Sequence, residues 1–180
     1  MSGPFRTERL TLCPTGVADA AFIRELVNTP QWLRYIGDRQ VYSDADATHY
    51  IREVMLPQFD RLGFGNYTVS LTANNTKIGT CGLYDRQGLP FPDLGFAFLP
   101  EYQGRGYAYE AARHLLDLIF TRLDYPEVLA ITVPENRASQ RLLERLDFTA
   151  CGTVQLRPGE GELLRFSLRR EKSTVGGTEG

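Results

Sequence analysis

Residues 94–123 hold the feature that most constrains this 180-residue chain: an apolar run, a glycine-bearing turn and a long amphipathic stretch in immediate succession. The run Leu94-Gly95-Phe96-Ala97-Phe98-Leu99 is closed by Pro100, and the turn reads Gln103-Gly104-Arg105-Gly106-Tyr107-Ala108. From Tyr107 to Leu123, the residues Ala108, Ala111, Ala112, Leu115, Leu116, Ile119, Phe120 and Leu123 recur at helical spacing. A strand is therefore expected to feed through a tight turn into a helix start. Gly104 and Gly106 have no Cβ, so backbone N–H groups can converge there on an anion without steric cost. The first helical turn supplies unpaired N–H donors and the positive end of its dipole, and Arg105 adds a full charge. Such a segment suits a diphosphate, although alone it also fits a turn that binds nothing. Tyr109 stands where a dinucleotide fingerprint needs its third glycine, and the Lys-Ser/Thr pair of a nucleoside-triphosphate loop is missing.

A second segment follows at a fixed distance. Residues 128–133, Val-Leu-Ala-Ile-Thr-Val, read as a buried strand. Pro134, Glu135, Asn136, Arg137, Ala138 and Ser139 lead into Leu142, Leu143 and Leu146 at helical spacing, with Asp147-Phe148 ending that helix. Asn136 is well suited to cap it.

Gln103, Gly106 and Ala108 match Gln/Arg-x-x-Gly-x-Gly/Ala, and the pattern resembles the acyl-CoA signature of the GNAT superfamily of N-acetyltransferases. The strand followed by Asn136-x-x-Ser139 resembles the second motif of that family. Thr7-Glu8-Arg9-Leu10-Thr11-Leu12 and Trp32…Tyr35-Ile36-Gly37 look like its ribosomal-protein N-terminal (Rim-type) branch. The resemblance covers roughly residues 5–170. It implies an α+β GNAT fold, with a mixed, mostly antiparallel central sheet flanked by helices and splayed at the acyl-CoA site. It also implies acetyl-CoA as cosubstrate and an amine that attacks the thioester directly. On that resemblance Gln103, Gly104, Arg105, Gly106, Tyr107 and Ala108 would hold the diphosphate, and Asn136 the pantetheine arm. Free N–H groups around Phe98 and Leu99 would hold the arm and polarise the carbonyl.

The chain departs from the family pattern twice. Asp147 replaces a glycine between the last helix and its following strand; aspartate tolerates the left-handed conformation better than most residues. Leu143 stands where many relatives carry a tyrosine that protonates the departing thiolate; Ser139 would hydrogen-bond the thiolate instead, as in the Rim-type branch, or is a polar first-turn residue of its helix. Asp93 lies close to where some relatives place a catalytic glutamate. It is the candidate base, or else a loop aspartate after Pro92. Glu110, one turn into the helix, reads as structural or catalytic, and Glu101 as a complement to the helix N-terminus. Trp32, Tyr35 and Phe59 or Phe64 are candidate walls for the acceptor, or else core aromatics. Asp38 and Asp44 would attract a cationic amine, or are surface residues.

Apolar residues at 42% and charged residues at 23% describe one globular domain over 1–170, with a polar, glycine-rich tail at 171–180 expected to be disordered. A net charge of −2 argues against nucleic acid as a partner. Cys13, Cys81 and Cys151 are expected to be free thiols, and with His49 and His114 elsewhere no metal is expected. No run suits an export signal or a membrane span, so a cytoplasmic protein without membrane contact is the expectation. Homodimerisation is left open.

Along the chain the expected order is β-α-α-β-β-β-α-β-α-β-β. The first strand is Leu10–Leu12, a helix from Ser43 or Asp44 runs to about Arg61 across Pro57, and Asn74-Asn75 turns a hairpin. Three functions are carried forward. The first is acetyl transfer to a protein or peptide α-amine. The second is transfer to a small amine such as a polyamine, an amino acid derivative or an aminoglycoside. The third is acyl-CoA binding without catalysis.

Overall fold

The computed structural model describes residues 3–170. Eight strands form one sheet: β1 Phe5–Arg6, β2 Leu10–Pro14, β3 Asn66–Leu71, β4 Lys77–Tyr84, β5 Asp93–Phe98, β6 Glu127–Thr132, β7 Thr149–Val154 and β8 Leu163–Arg169. Their order is β1-β2-β3-β4-β5-β6-β8-β7. Every neighbouring pair is antiparallel except β5 and β6, which are parallel. The expected α+β arrangement is the one found. The short β1, absent from the sequence reading, pairs with β2 over only two residues, too few for an alternation signal.

Six helices cover the sheet: α1 Ala20–Val27, α2 Pro30–Tyr35, α3 Asp44–Tyr50, α4 Leu56–Leu62, α5 Tyr107–Arg122 and α6 Arg137–Arg145. Parallel strands need a crossover, and α5 is that crossover. Its apolar stripe, Ala111, Ala112, Leu115, Leu116 and Ile119, packs with Leu10, Leu12, Val69, Ile78, Leu83 and Leu94 in the main core. A second core joins α1 to α3 through Phe22, Ile23, Leu26, Ala47 and Ile51, with Leu99.

The long helix expected to run from Ser43 to Arg61 is broken in an orderly way. Ser43 caps α3 through a reciprocal capping box with Asp46. Between α3 and α4 lies one π turn, Ile51–Met55, in which the Leu56 N–H reaches back to the Ile51 carbonyl. Pro57, which has no N–H and needs room for its ring, sits just beyond this widened turn. Gly63 ends α4 in the left-handed region at φ 72°.

Asp147 adopts φ 67°, as its replacement of glycine requires. The Phe148 N–H bonds the Leu143 carbonyl at 3.0 Å and the Asp147 N–H bonds Glu144 at 3.0 Å, the paired reversal that closes a helix C-terminus. Cys81 is buried while Cys13 and Cys151 are exposed, and all three are free. No described helix is long and apolar enough to cross a membrane.

Candidate active site

The Gln103–Ala108 turn sits between β5 and α5, after a 3-10 turn at Pro100–Tyr102. Gly104 has φ 71° and Gly106 φ 81°, a region that costs a side-chain-bearing residue roughly 1–2 kcal/mol. Gly106 is the residue before α5, and no side chain caps that helix. Its first intrahelical bond is Glu110 N–H to the Gly106 carbonyl at 3.0 Å, which leaves the N–H groups of Tyr107, Ala108 and Tyr109 without intrahelical partners. Arg105 is exposed and stands 5.9 Å from the Tyr102 ring centre. Gln103 Nε2 donates to the Phe98 carbonyl at 2.8 Å and also to Gln31, fixing the turn to the end of β5.

A three-residue clasp, not foreseen from the sequence, holds this turn from the side. Glu110 accepts from Thr7 Oγ1 at 2.5 Å, from the Arg9 N–H at 2.8 Å and from Arg9 Nε at 2.7 Å. Arg9 Nη1 in turn donates to the Arg105 carbonyl at 3.0 Å, and its guanidinium lies 4.6 Å over the Tyr107 ring. Glu110 therefore joins the β1–β2 turn to α5, the structural alternative of the sequence reading. Burial alone would raise its pKa, but the bonds from Thr7 and Arg9 outweigh it and hold the carboxyl below its ordinary value. A depressed carboxylate stabilises the fold above about pH 4.5, and that contribution fades as the pH falls through the lower folded pKa. Glu110→Gln should thus cost about 2 kcal/mol at pH 7. Urea titrations at pH 7 and pH 3 should show the gap to the wild type closing at the lower pH.

Beyond the single bridge Asp93↔Leu129, β5 and β6 diverge. A cavity of about 510 Å³ opens beside them, lined by Leu94 to Ala97, Ala130 to Thr132, Asn136, Ser139 and Leu143. The Leu99 N–H, expected to be free, bonds the Ile78 carbonyl at 2.9 Å across β4. Backbone groups alternate sides along a strand, so it is Phe96 and Phe98 whose N–H groups face the gap. Asn136 Oδ1 caps α6 by accepting the Ser139 N–H at 3.1 Å; its Nδ2 has no partner among the described residues. Ser139 shares the cavity wall with Asn136.

The other end of the cavity is walled by Trp32, Tyr35, Arg39, Tyr50, Tyr84 and Arg86. Trp32 and Tyr35, the candidate walls of the sequence, line this cavity. Phe64, 1% exposed, lies within the main core, and Phe59 packs edge-on to Tyr67 at 5.4 Å; neither lines the cavity. Asp38 accepts from the Gln40 N–H and the Tyr42 hydroxyl, and Asp44 pairs with Arg24 at 3.1 Å. Both lie outside the cavity lining, so neither draws an amine into it. Glu101 is exposed on the 3-10 turn.

Asp93 is no loop residue but the first of β5, only 1% exposed. Its two oxygens accept from Arg86 Nε at 3.0 Å and Nη2 at 3.2 Å. Burial pushes its pKa up despite the opposing pull of that guanidinium. Behind the pair, the Tyr84 hydroxyl donates to Asn66 Oδ1 at 2.5 Å. Arg86, Tyr84 and Arg39 went unremarked in the sequence. For Arg86 a signal existed, a cation seven residues from an aspartate across one turn; for Arg39 none did. No group of three or more His, Cys, Asp or Glu side chains suited to a metal ion occurs among the described residues.

Comparison with known proteins gives this geometry a context. Residues 9–149 match the profile of the family described as "Acetyltransferase (GNAT) domain". The crystal structure of an acetyltransferase from Agrobacterium tumefaciens str. C58 is 30% identical with a TM-score of 0.77, covering 94% of this chain and 96% of that one. N-acetyltransferase p20 of Bacillus licheniformis, itself uncharacterized, is 28% identical over 83% of this chain and 84% of its own length. A ribosomal-protein α-N-acetyltransferase solved with coenzyme A has a TM-score of 0.77 at 17% identity, covering 92% of this chain and 97% of that one. At that identity it shares the fold alone.

Proposed function

We propose that this chain, which belongs to the GNAT family of acetyltransferases, transfers acetyl from acetyl-CoA to the α-amine of a protein or peptide in a ternary complex. The single observation that carries the reading is the continuity of one site. The edge of β5 beyond its one bridge to β6 and the Asn136–Ser139 turn line the same gap, and α5, with its uncapped N-terminus and left-handed glycines, follows the end of β5 through the 3-10 turn. That gap leads in turn to the aromatic walls Trp32 and Tyr35.

Each residue then has a task. The N–H groups at the start of α5, with Gln103, Gly104, Arg105, Gly106, Tyr107 and Ala108 around them, receive the diphosphate. Asn136 Nδ2 and the edge of β5 receive the pantetheine amides. The Phe96 and Phe98 N–H groups polarise the thioester carbonyl, a preorganised donation worth roughly 3 kcal/mol of barrier. As the amine nitrogen bonds to the carbonyl carbon and the C–S bond breaks, Ser139 Oγ–H donates to the leaving sulfur. The amine's proton passes to Asp93, whose buried carboxyl has the raised pKa of a better proton acceptor. An α-amine acceptor is supported by the pairing of Ser139 with Leu143, the pattern of the Rim-type branch.

Ser139→Ala should lower kcat by about a hundredfold while leaving the acetyl-CoA Kd within a few-fold. An unchanged kcat would remove Ser139 from the mechanism. The function itself is tested by thiol release from acetyl-CoA against peptides, polyamines, amino acids and aminoglycosides. Release with peptides confirms it, release with small amines alone moves the acceptor class, and acetyl-CoA binding without release leaves a binding module.

A further inference from the structure

The charges that line the acceptor end of the cavity do not balance. Its acids are Asp85 and Asp93, and both are already engaged: Asp93 by Arg86, Asp85 by Arg61 at 2.7 Å. Its cations are Arg39, Arg86 and Arg157. Arg157 stands at the β7–β8 loop with only a 3.5 Å contact to Glu160, and Arg39 has no ion-pair partner among the described residues. Arg86 spends Nε and Nη2 on Asp93, which leaves Nη1. Arg39 and Arg86 both act on the half-buried Tyr50 phenol in the same wall; burial raises its pKa and the two guanidinium groups oppose that rise. A further donor lies in the same wall. Trp32 Nε1 is buried and has no hydrogen-bond partner among the described residues, a state that costs about 1–3 kcal/mol unless a ligand relieves it.

A surplus of donors and positive charge with no free carboxylate is unsuited to a polyamine or an aminoglycoside, which would meet guanidinium groups instead of counter-ions. Arginine's planar fork suits carboxylate and phosphate oxygens. We infer that the acceptor is a primary amine carrying an anionic group, a carboxylate or a phosphate, which Arg39, Arg86 and the Trp32 indole N–H receive at this end of the cavity. The inference rests on the acetyl-transfer reading and narrows its acceptor. For a peptide, it places an acidic side chain close behind the α-amine.

The test uses matched acceptors in steady-state thiol-release assays. Peptides differ only in an Asp, Asn or Lys at the second position, β-alanine is set against its amide, phosphoethanolamine against ethanolamine, and spermidine is included. Acid-bearing acceptors should exceed their neutral partners by about tenfold in kcat/KM, the scale of a partly desolvated charge pair. The peptide and phosphoethanolamine arms tell carboxylate from phosphate. Arg39→Glu, at an exposed loop position, should invert the order, lowering the Asp peptide and raising the Lys peptide, whereas Arg39→Lys should keep it. Equal rates within the matched pairs, or a preference for spermidine, would overturn the inference. No turnover with any acceptor while calorimetry shows acetyl-CoA bound, or loss of acetyl-CoA binding itself, would instead overturn the proposed function on which it rests.

Discussion

Gly106→Trp is expected to weaken acetyl-CoA binding by about a hundredfold or more in titration calorimetry, with the fold retained. Two effects combine. At φ 81° a side chain costs roughly 1–2 kcal/mol of backbone strain, too little to unfold a domain of this size. A Cβ there starts 3.4 Å from Arg9 Nη2, so an indole displaces the arginine that holds the Arg105 carbonyl and crowds the turn itself. The uncapped N–H groups of α5 then no longer converge on a diphosphate, and a helix-terminus anion site depends on that convergence. Unfolding midpoint and circular dichroism should stay near wild type apart from the strain. An affinity within about threefold of wild type would mean that the diphosphate binds elsewhere.

Arg86→Met is expected to be the most destabilising single change at the acceptor end, by about 3 kcal/mol at pH 7. Asp93 is 1% exposed, and removal of its only ion-pair partner among the described residues leaves an uncompensated buried charge. The Arg86 side chain is 37% exposed, and water entering from that side keeps the loss toward the lower end of the range. The pH dependence has a definite sign. Asp93 already has a folded pKa above its ordinary 3.8, and without Arg86 it rises further. The penalty is therefore full above that raised pKa and fades as the pH falls through it toward 3.8. The double variant Arg86→Met with Asp93→Leu should recover most of the stability, because replacing a buried pair by apolar groups is often neutral. Urea unfolding of the three variants at pH 7 and pH 4.5 checks this. A double variant no more stable than the single one would show that the loss comes from packing, not charge.

Much of the site's frame was legible along the chain because its signals are local. Gly104 and Gly106, the helical stripe after them and Asn136 three residues before Ser139 each depend on neighbours within one turn of backbone. Asp147 in the left-handed region is similar: a helix end is decided over about six residues. The β3–β4 hairpin was legible for the same reason, since a short Asn-bearing turn joins the two strands and Asn75 takes φ 59° there.

What the tertiary structure alone decided concerns residues that meet across long separations. Glu110 is bound by Thr7 and Arg9 about a hundred residues away, and no periodicity in either segment announces that clasp. Which N–H groups of β5 stay free depends on pairing with β4, and the sheet spends Leu99 where the sequence suggested it was open. Phe59 and Phe64 went to the core while Trp32 and Tyr35 stayed in the wall, a choice made by where α2 and α4 dock. The sequence by itself determined the glycine-bearing turn before α5 and the order of the elements, because backbone conformation and amphipathic spacing are short-range properties. The charge balance of the cavity wall was settled only when folding paired Asp85 with Arg61 and left Arg39 without an ion-pair partner among the described residues, because electrostatic balance depends on distance in space.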